Sequence, residues 1–196
     1  MRRPRSAFVP LSALAALAGA LALPGSAAAE RWVMDRDRAA VTFSLEHAGF
    51  ALVEGRFRSF DAEIDFDPAA GTASSVSFTI EAASIDTEWE TRDDFIRGAD
   101  MLDVKGHPRI TFVSQGVEML SETRAAITGL VTIKGVTREE TFDVVLNRME
   151  GAEAGTVADF TVTGRIDRSD YGVSAFAPAV ATMMALRVDI AASPAR

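Results

Sequence analysis

Few residues of this chain combine the type and spacing that catalysis or metal binding requires. The two histidines, His47 and His107, are far apart, and neither lies in a His-x-x-x-His or His-Glu-x-x-His pattern, so no metal site is predicted. The absence of cysteine excludes thiolate catalysis, disulfides and cysteine–zinc sites. The sequence has no nucleophile elbow, phosphate-binding loop or dinucleotide fingerprint. We therefore predict a non-enzymatic protein without a cofactor.

Two adjacent charged pairs are the remaining candidates for acid–base chemistry. Arg92-Asp93 and Asp167-Arg168 each place opposite charges side by side. Ion pairs that stabilise a fold are commoner than acid–base couples, so each pair is interpreted as fixing the fold.

The histidines are assigned by their place in the predicted elements. His107 precedes Pro108 in a turn and is interpreted as structural. His47 ends the first strand in register with Leu45, which places it at the rim of an apolar face. For His47 two roles are open: a hydrogen-bonded structural histidine or a contact for a ligand.

Alternation of apolar and polar residues with period two dominates the chain after its first segment. Val41, Phe43 and Leu45, for example, alternate with Thr42 and Ser44, and about eight such strands follow one another. Because each strand has one apolar and one polar face, we predict an all-β fold, an antiparallel barrel or a sandwich. A membrane-spanning barrel is disfavoured, because two tryptophans and one tyrosine are too few for aromatic girdles.

Four local features interrupt the strands. The inward phase changes near residues 58–59, which predicts a bulge or bend in a long strand. Residues 134–136 predict a tight hairpin, and residues 150–155 a flexible loop. Thr87 to Glu90 fits a capping box, and apolar residues at helical spacing follow, which predicts one short helix near residues 89–101.

The first 29 residues have the pattern of a cleaved signal peptide. Three arginines precede an apolar run at residues 11–23, and Ala27-Ala28-Ala29 fits the small-x-small cleavage rule. A retained anchor is disfavoured, because the run is shorter than the roughly 20 residues of a spanning helix. We predict general secretion to the periplasm and a single mature domain at residues 30–196, without stable membrane insertion.

Removing this segment makes the protein more acidic. The signal takes three of the 20 basic residues and none of the 28 acidic ones, so 17 basic and 28 acidic residues leave a net charge of −11. Such a domain is repelled by phosphates, and no nucleic-acid partner is predicted.

The apolar strand faces, with 12 phenylalanines in the whole chain, are the most specific chemical feature. An eight-stranded barrel is just wide enough to be filled by side chains or to hold one small ligand, and periodicity cannot choose between these. If a pore exists, its predicted lining is Phe43, Leu45, Phe57, Ile64, Phe78, Ile80, Phe95, Ile110, Phe112, Ile127, Val131, Phe142, Val144, Phe160, Val162 and Leu186, with His47 at the rim.

Several short motifs follow one another in order along this domain. They are Val41 to Gly49, which ends in His-x-Gly, Gly55-x-Phe57, Phe66-Asp67-Pro68, Ser84 to Thr87 with Arg92-Asp93, Pro108-x-Ile110-Thr111-Phe112, Gly129 to Thr137, and Arg165-x-Asp167 to Gly172. From about Trp32 to Ile190 the chain resembles the YceI-like family of exported, lipocalin-like polyisoprenoid-binding proteins.

The resemblance implies an eight-stranded antiparallel lipocalin-like barrel whose apolar pore holds an isoprenoid chain in the periplasm. The chain departs from the family pattern at Phe95, where a histidine is common, and around Met183-Met184, where an acidic residue is common. Both changes are expected to make the mouth of the pore more apolar.

The expected function is sequestration or transport of a long isoprenoid lipid, such as a quinone or a polyprenyl carrier, or another long apolar molecule. Two alternatives are open: a stress-response or interaction protein whose pore has no dedicated ligand, and an enzyme acting on a bound lipid. Assembly as a homodimer is also left open.

Overall fold

The computed structural model describes residues 29–49, 51–68, 70–151 and 156–195. Of the predicted signal peptide, residues 1–28 lie outside the described residues, as do residues 152–155 of the predicted flexible loop. None of the helices in the described ranges is long and apolar enough to cross a membrane.

Ten strands and one α-helix make up the described part of the chain. The strands are β1 (Glu30–His47), β2 (Ala51–Phe57), β3 (Phe60–Phe66), β4 (Ser75–Glu81), β5 (Ile85–Asp86), β6 (Arg109–Met119), β7 (Arg124–Ile133), β8 (Val136–Glu150), β9 (Val157–Asp167) and β10 (Met183–Pro194), and the helix is α1 (Glu90–Arg97).

The strands close into an antiparallel barrel. The neighbours run in the order β10, β9, β8, β7, β6, β4, β3 and β1, and β10 pairs back onto β1. This last pairing joins Trp32 to Pro194 and Phe43 to Leu186, with an irregularity between Asp35 and Ala40, and it closes the sheet on itself. The predicted eight-stranded antiparallel barrel is confirmed, and the closure excludes the sandwich alternative.

One barrel strand is split in two, as the change of phase predicts. β2 ends at Phe57 and β3 begins at Phe60, so the chain bends at residues 58–59. β2 pairs with the second half of β1, whereas β3 pairs with its first three residues. The bend lets one continuous stretch follow the curved wall.

The hairpin between β7 and β8 is also confirmed. Ile133 pairs with Val136, which leaves a two-residue turn of Lys134 and Gly135. Both turn residues have positive φ, 49° and 76°. This left-handed pair gives the turn a twist that matches the strands, and Gly135 adopts it without steric cost.

The predicted helix is shorter than expected, and its predicted cap is wrong. α1 spans eight residues and ends at Arg97, because Gly98 turns to extended backbone and donates its N–H to the carbonyl of Phe95. Trp89 occupies the N-cap position without a side-chain hydrogen bond. Thr87 cannot serve as the cap, because its hydroxyl donates to the carboxylate of Asp93 instead.

Candidate ligand-binding cavity

The inward faces of the barrel strands surround an apolar cavity with a volume of about 400 Å³. Pockets that bury small ligands commonly have volumes of 300–1,000 Å³. Each strand contributes alternate side chains, such as Ile80, Val131, Val162 and Leu186, so the wall is almost wholly apolar. The barrel is therefore not filled by its own core.

The structure brings together all but one of the apolar side chains predicted to line a pore. Those that line the cavity are Phe43, Leu45, Phe57, Ile64, Phe78, Ile80, Ile110, Phe112, Ile127, Val131, Phe142, Val144, Phe160, Val162 and Leu186. Their common strand phase was sufficient to place them on one inner face. That they contact a ligand stays a prediction.

Phe95 is the exception, and its predicted place in the lining is corrected. Its side chain is 41% exposed and packs outside the barrel, with its ring centroid 5.1 Å from that of Phe176. The inward face of α1 is instead formed by Ile96, which lines the cavity, and by the buried Asp93. Neighbouring positions on a helix point about 100° apart, so Phe95 faces solvent when Ile96 faces inward.

His47 is exposed at the end of β1 and is not among the residues that line the cavity. Its backbone pairs with Ala51 and bridges to Val180. That His47 contacts a ligand at the rim of the pore stays a prediction. The other histidine, His107, lies in the turn before β6 with its Nε2 4.0 Å from the Oδ2 of Asp103.

One end of the barrel, here named the closed end, is covered by residues 82–86, by α1 and by residues 168–182. The cavity lining there includes the buried side chains of Ile85, Leu102 and Val173. Met184 also lines this region.

Arg168 fixes the loop that covers the closed end. Its guanidinium is buried and bonds to backbone carbonyls of this loop: Nη1 to Val173 at 2.5 Å, Nη2 to Ala175 at 3.1 Å and Val180 at 2.9 Å, and Nε to Ala181 at 3.0 Å. Burial lowers the pKa of Arg168. The guanidinium thus replaces water for four carbonyl groups.

Asp167 and Tyr171 stabilise the turn that follows β9. The carboxylate of Asp167 accepts bonds from the hydroxyl of Ser169 at 2.6 Å, from its N–H at 2.9 Å and from the hydroxyl of Thr182 at 3.2 Å. The bonds from Ser169 hold the pKa of Asp167 below its ordinary value. The hydroxyl of the fully buried Tyr171 donates to Glu140 at 2.8 Å, and burial raises the pKa of Tyr171.

The other charged pair, Arg92-Asp93, fixes α1 through Thr87. Asp93 is buried and accepts both the N–H of Thr87, at 3.0 Å, and its hydroxyl. Arg92 donates to the hydroxyl oxygen of Thr87 at 2.7 Å and to its carbonyl at 2.6 Å. Neither Arg92-Asp93 nor Asp167-Arg168 forms an ion pair within itself in the described structure. The predicted fold-fixing role fits this geometry, but the partners are loop groups.

The opposite end, here named the open end, lies where β3, β6 and β8 end. Its lining includes the exposed side chains of Met119, Glu122, Arg124 and Met149. The cavity therefore reaches solvent here. Polar lining residues are also concentrated at this end, namely Asp65, Asp67, Ser74 and Thr123.

The positions of the two ends correct the expectation that the mouth of the pore is more apolar. Phe95 and Met183, the two places of departure from the family pattern, lie at the closed end. Met183 is exposed and does not line the cavity, whereas Met184 does. The side chains at the opening are partly polar rather than more apolar.

A family model described as the YceI-like domain matches residues 32–193. The chain belongs to the YceI family. It is 35% identical over 162 residues to a UPF0312 protein of Pseudomonas putida strain W619, covering 81% of this chain and 84% of the relative. It is 41% identical over 130 residues to a UPF0312 protein of Ectopseudomonas mendocina strain ymp, covering 65% of this chain and 68% of the relative.

Solved structures share the YceI-type barrel. The crystal structure of Burkholderia cenocepacia BcnA has a TM-score of 0.74 at 27% identity, covering 82% of this chain and 99% of that one. The Campylobacter jejuni YCEI protein has a TM-score of 0.70 at 28% identity, covering 77% and 90%. A polyisoprenoid binding domain from Saccharophagus degradans has a TM-score of 0.63 at 13% identity, covering 85% and 99%, and shows the shared fold alone.

Sequence reasoning missed three kinds of lining residue in this YceI-family barrel. Met101, Leu102 and Val173 lie in loops, where no periodicity indicates an inward face. Met119 and Met149 lie near strand ends at the opening. Glycines within strands also shape the wall. The sequence indicates them, because they occupy inward-facing positions of the alternating pattern.

Proposed function

We propose that this protein binds one long, apolar isoprenoid-type chain inside its barrel. The observation that carries this proposal is the apolar cavity of about 400 Å³, lined from the buried Leu102 at the closed end to the exposed Met149 at the open end. A cavity that extends along the barrel and reaches solvent at one end matches a chain that enters tail first.

The tail supplies most of the binding free energy in this proposal. Burying one methylene contributes about 0.8 kcal/mol, so roughly ten buried groups contribute about 8 kcal/mol. Association costs on the order of 4–15 kcal/mol, whereas one hydrogen bond to a headgroup adds only about 1 kcal/mol. Ser74, Thr123 and Arg124 at the open end could donate such a bond. Affinity should therefore depend more on tail length than on headgroup.

The comparisons support the chemical class of the ligand. The domain from Saccharophagus degradans with the same fold is described as polyisoprenoid binding, and we extend this class to the present chain. Within it, a quinone or a polyprenyl carrier fits a cavity with apolar walls and a partly polar opening. In this proposal the protein acts by binding rather than by catalysis, in keeping with the description of that neighbour as a binding domain.

The site of action in this proposal is the periplasm. Cleavage after Ala29 would leave Glu30 as the first residue, and β1 begins at Glu30. The proposed cleavage therefore keeps the first strand whole. N-terminal sequencing of periplasmic material should give Glu30, and a protein that starts at Met1 in a membrane fraction would contradict export by cleavage.

The proposed function is tested by mass spectrometry of an organic extract of the purified protein. An isoprenoid lipid in near-stoichiometric amount is expected. Titration with prenols of increasing length should then show affinity rising with each isoprene unit until the cavity is full. If no lipid is extracted and a short prenol binds as well as a long one, the function is instead that of an interaction or stress-response protein without a dedicated ligand.

A further inference from the structure

Two phenylalanines of the cavity wall lie directly against glycines of neighbouring strands. A Cβ atom added to Gly55 would lie 2.3 Å from the Cζ of Phe43, and one added to Gly164 would lie 2.4 Å from the Cδ1 of Phe142. No Cβ atom tolerates contacts of this length. Only glycine at these two positions leaves room for the rings against the wall.

A third pair has the same form. A Cβ atom at Gly129 would lie 2.5 Å from the Cε2 of Phe112. It would also lie 2.4 Å from the carbonyl oxygen of Val113, so this glycine accommodates backbone as well as a ring. The rings of Phe112 and Phe142 meet edge to face, with centroids 5.6 Å apart, so the second and third pairs are adjacent on the wall.

Glycine within a strand weakens the strand, and its presence often marks close approach of another group. Here the close approach is that of phenyl rings from the same wall. An eight-stranded barrel is so narrow that a few side chains fill it, and a ring displaced from the wall has to move toward the axis.

We propose that Gly55, Gly129 and Gly164 set the bore of the barrel by receiving the rings of Phe43, Phe112 and Phe142. The lumen stays open because these rings lie along the wall instead of across it. The three glycines are then determinants of ligand cross-section, and they restrict the cavity to a single chain. This inference rests on the proposed function.

The substitution Gly164→Ala tests the proposal with geranylgeraniol, a linear prenol of four isoprene units, as the probe. The displaced ring of Phe142 should weaken binding by about tenfold or more. Gly55→Ala should act in the same way through Phe43. The matched control is Gly116→Ala in β6, where an added Cβ meets nothing within 4 Å, and its affinity should equal that of the wild type.

Removing the displaced ring tests whether the glycines set the width of the lumen or only stabilise the fold. The double variant Gly164→Ala/Phe142→Ala should bind geranylgeraniol about as tightly as Phe142→Ala alone, because no ring is left to occupy the lumen. Circular dichroism and thermal melting without ligand establish that each variant is folded. A folded Gly164→Ala protein with wild-type affinity overturns the proposal. If neither Gly164→Ala nor Gly55→Ala folds, the glycines serve the fold alone, and the proposal is likewise overturned.

Different results would contradict the proposed function and the proposed role of the glycines. A wild-type protein that binds neither geranylgeraniol nor longer prenols contradicts the proposed function. If the wild-type protein binds them and the Gly164→Ala variant binds equally well, only the proposed role of the glycines is contradicted.

Discussion

The two ends of the barrel differ in how their polar groups are held. At the closed end Asp93, Arg168 and Tyr171 are buried; Asp93 bonds to Thr87, Arg168 to carbonyl groups of its loop, and Tyr171 to Glu140 of β8. At the open end the cavity is bordered by exposed side chains, among them Met119 and Met149. Three of the buried polar groups thus lie at the closed end, whereas access to the cavity lies at the open end, where Asp67 is also buried and accepts the N–H of Ala70. Substitutions at the two ends should accordingly affect different properties.

The largest effect is expected at Arg168. Replacement Arg168→Met keeps an apolar stem but leaves four loop carbonyls without their donor, and each buried unsatisfied group costs about 1–3 kcal/mol. We expect the free energy of unfolding to fall by about 3 kcal/mol or more. Urea denaturation measures this change. The control Arg165→Ala removes an exposed arginine of the preceding strand, β9, and should have little effect. Equal losses of stability in the two variants would contradict the prediction.

A smaller loss is expected for Asp93→Ala. This change removes the acceptor for the N–H and the hydroxyl of the buried Thr87, so the free energy of unfolding should fall by about 2 kcal/mol. The neighbouring Asp94→Ala is the matched control, because Asp94 forms an exposed ion pair with Arg97 that contributes at most about 1 kcal/mol. Thermal melting of both variants compares the two losses of stability, and a larger loss for Asp94→Ala would contradict the prediction.

Alkaline pH should destabilise the closed end through Tyr171. Burial raises the pKa of Tyr171 in the fold above its ordinary value near 10. The stabilising contribution is therefore complete below about pH 10 and is lost as the pH rises above it, by up to about 1.4 kcal/mol at pH 11.

This pH dependence can be assigned to one residue, since the chain has a single tyrosine. The ultraviolet absorbance of ionised tyrosine should appear only above pH 10 in the folded protein and near pH 10 after unfolding. The variant Tyr171→Phe should lack the corresponding loss of stability. If Tyr171 ionises in the folded protein with its ordinary pKa near 10, its ring is not held at the closed end.

The smallest change in stability is expected at the open end. Met149→Ala removes a side chain that is 45% exposed but lines the cavity, so stability should change by no more than about 0.5 kcal/mol. Affinity for a long prenol should fall by about threefold to tenfold, because one or two methylene-sized contacts are lost. The matched control is Met183→Ala, an equally exposed methionine that does not line the cavity. If Met183→Ala weakens binding as much as Met149→Ala, the cavity does not open where we place it.

The strands and their inward faces were predictable because period-two alternation is a local property of the sequence. Phe43 and Val131 lie far apart along the chain, yet each could be assigned to the inner face from its neighbours alone. The helix was less predictable, since eight residues are too few for periodicity to orient Phe95 and Ile96. In that case packing against the barrel decided which side chain faced inward.

The ends of the barrel could not be predicted from the sequence. The acceptors of Arg168 are backbone carbonyls of a loop, and carbonyl groups have no residue-type signal. Whether the cavity opens at one end or the other depends on which loops cover it, and loop packing has no period. Gly164 was visible in the inward phase of its strand, but its meaning required the position of the ring of Phe142.

The seam between β1 and β10 has a consequence for the order of events during synthesis. The first barrel strand pairs with the last, and Trp32 meets Pro194. Contacts between residues so distant in sequence form slowly and only after the whole chain is available. Until then β1 and β9 each have a free edge, and the apolar inner faces have no enclosure. A nascent chain that lacks β10 therefore cannot close its barrel or enclose a ligand.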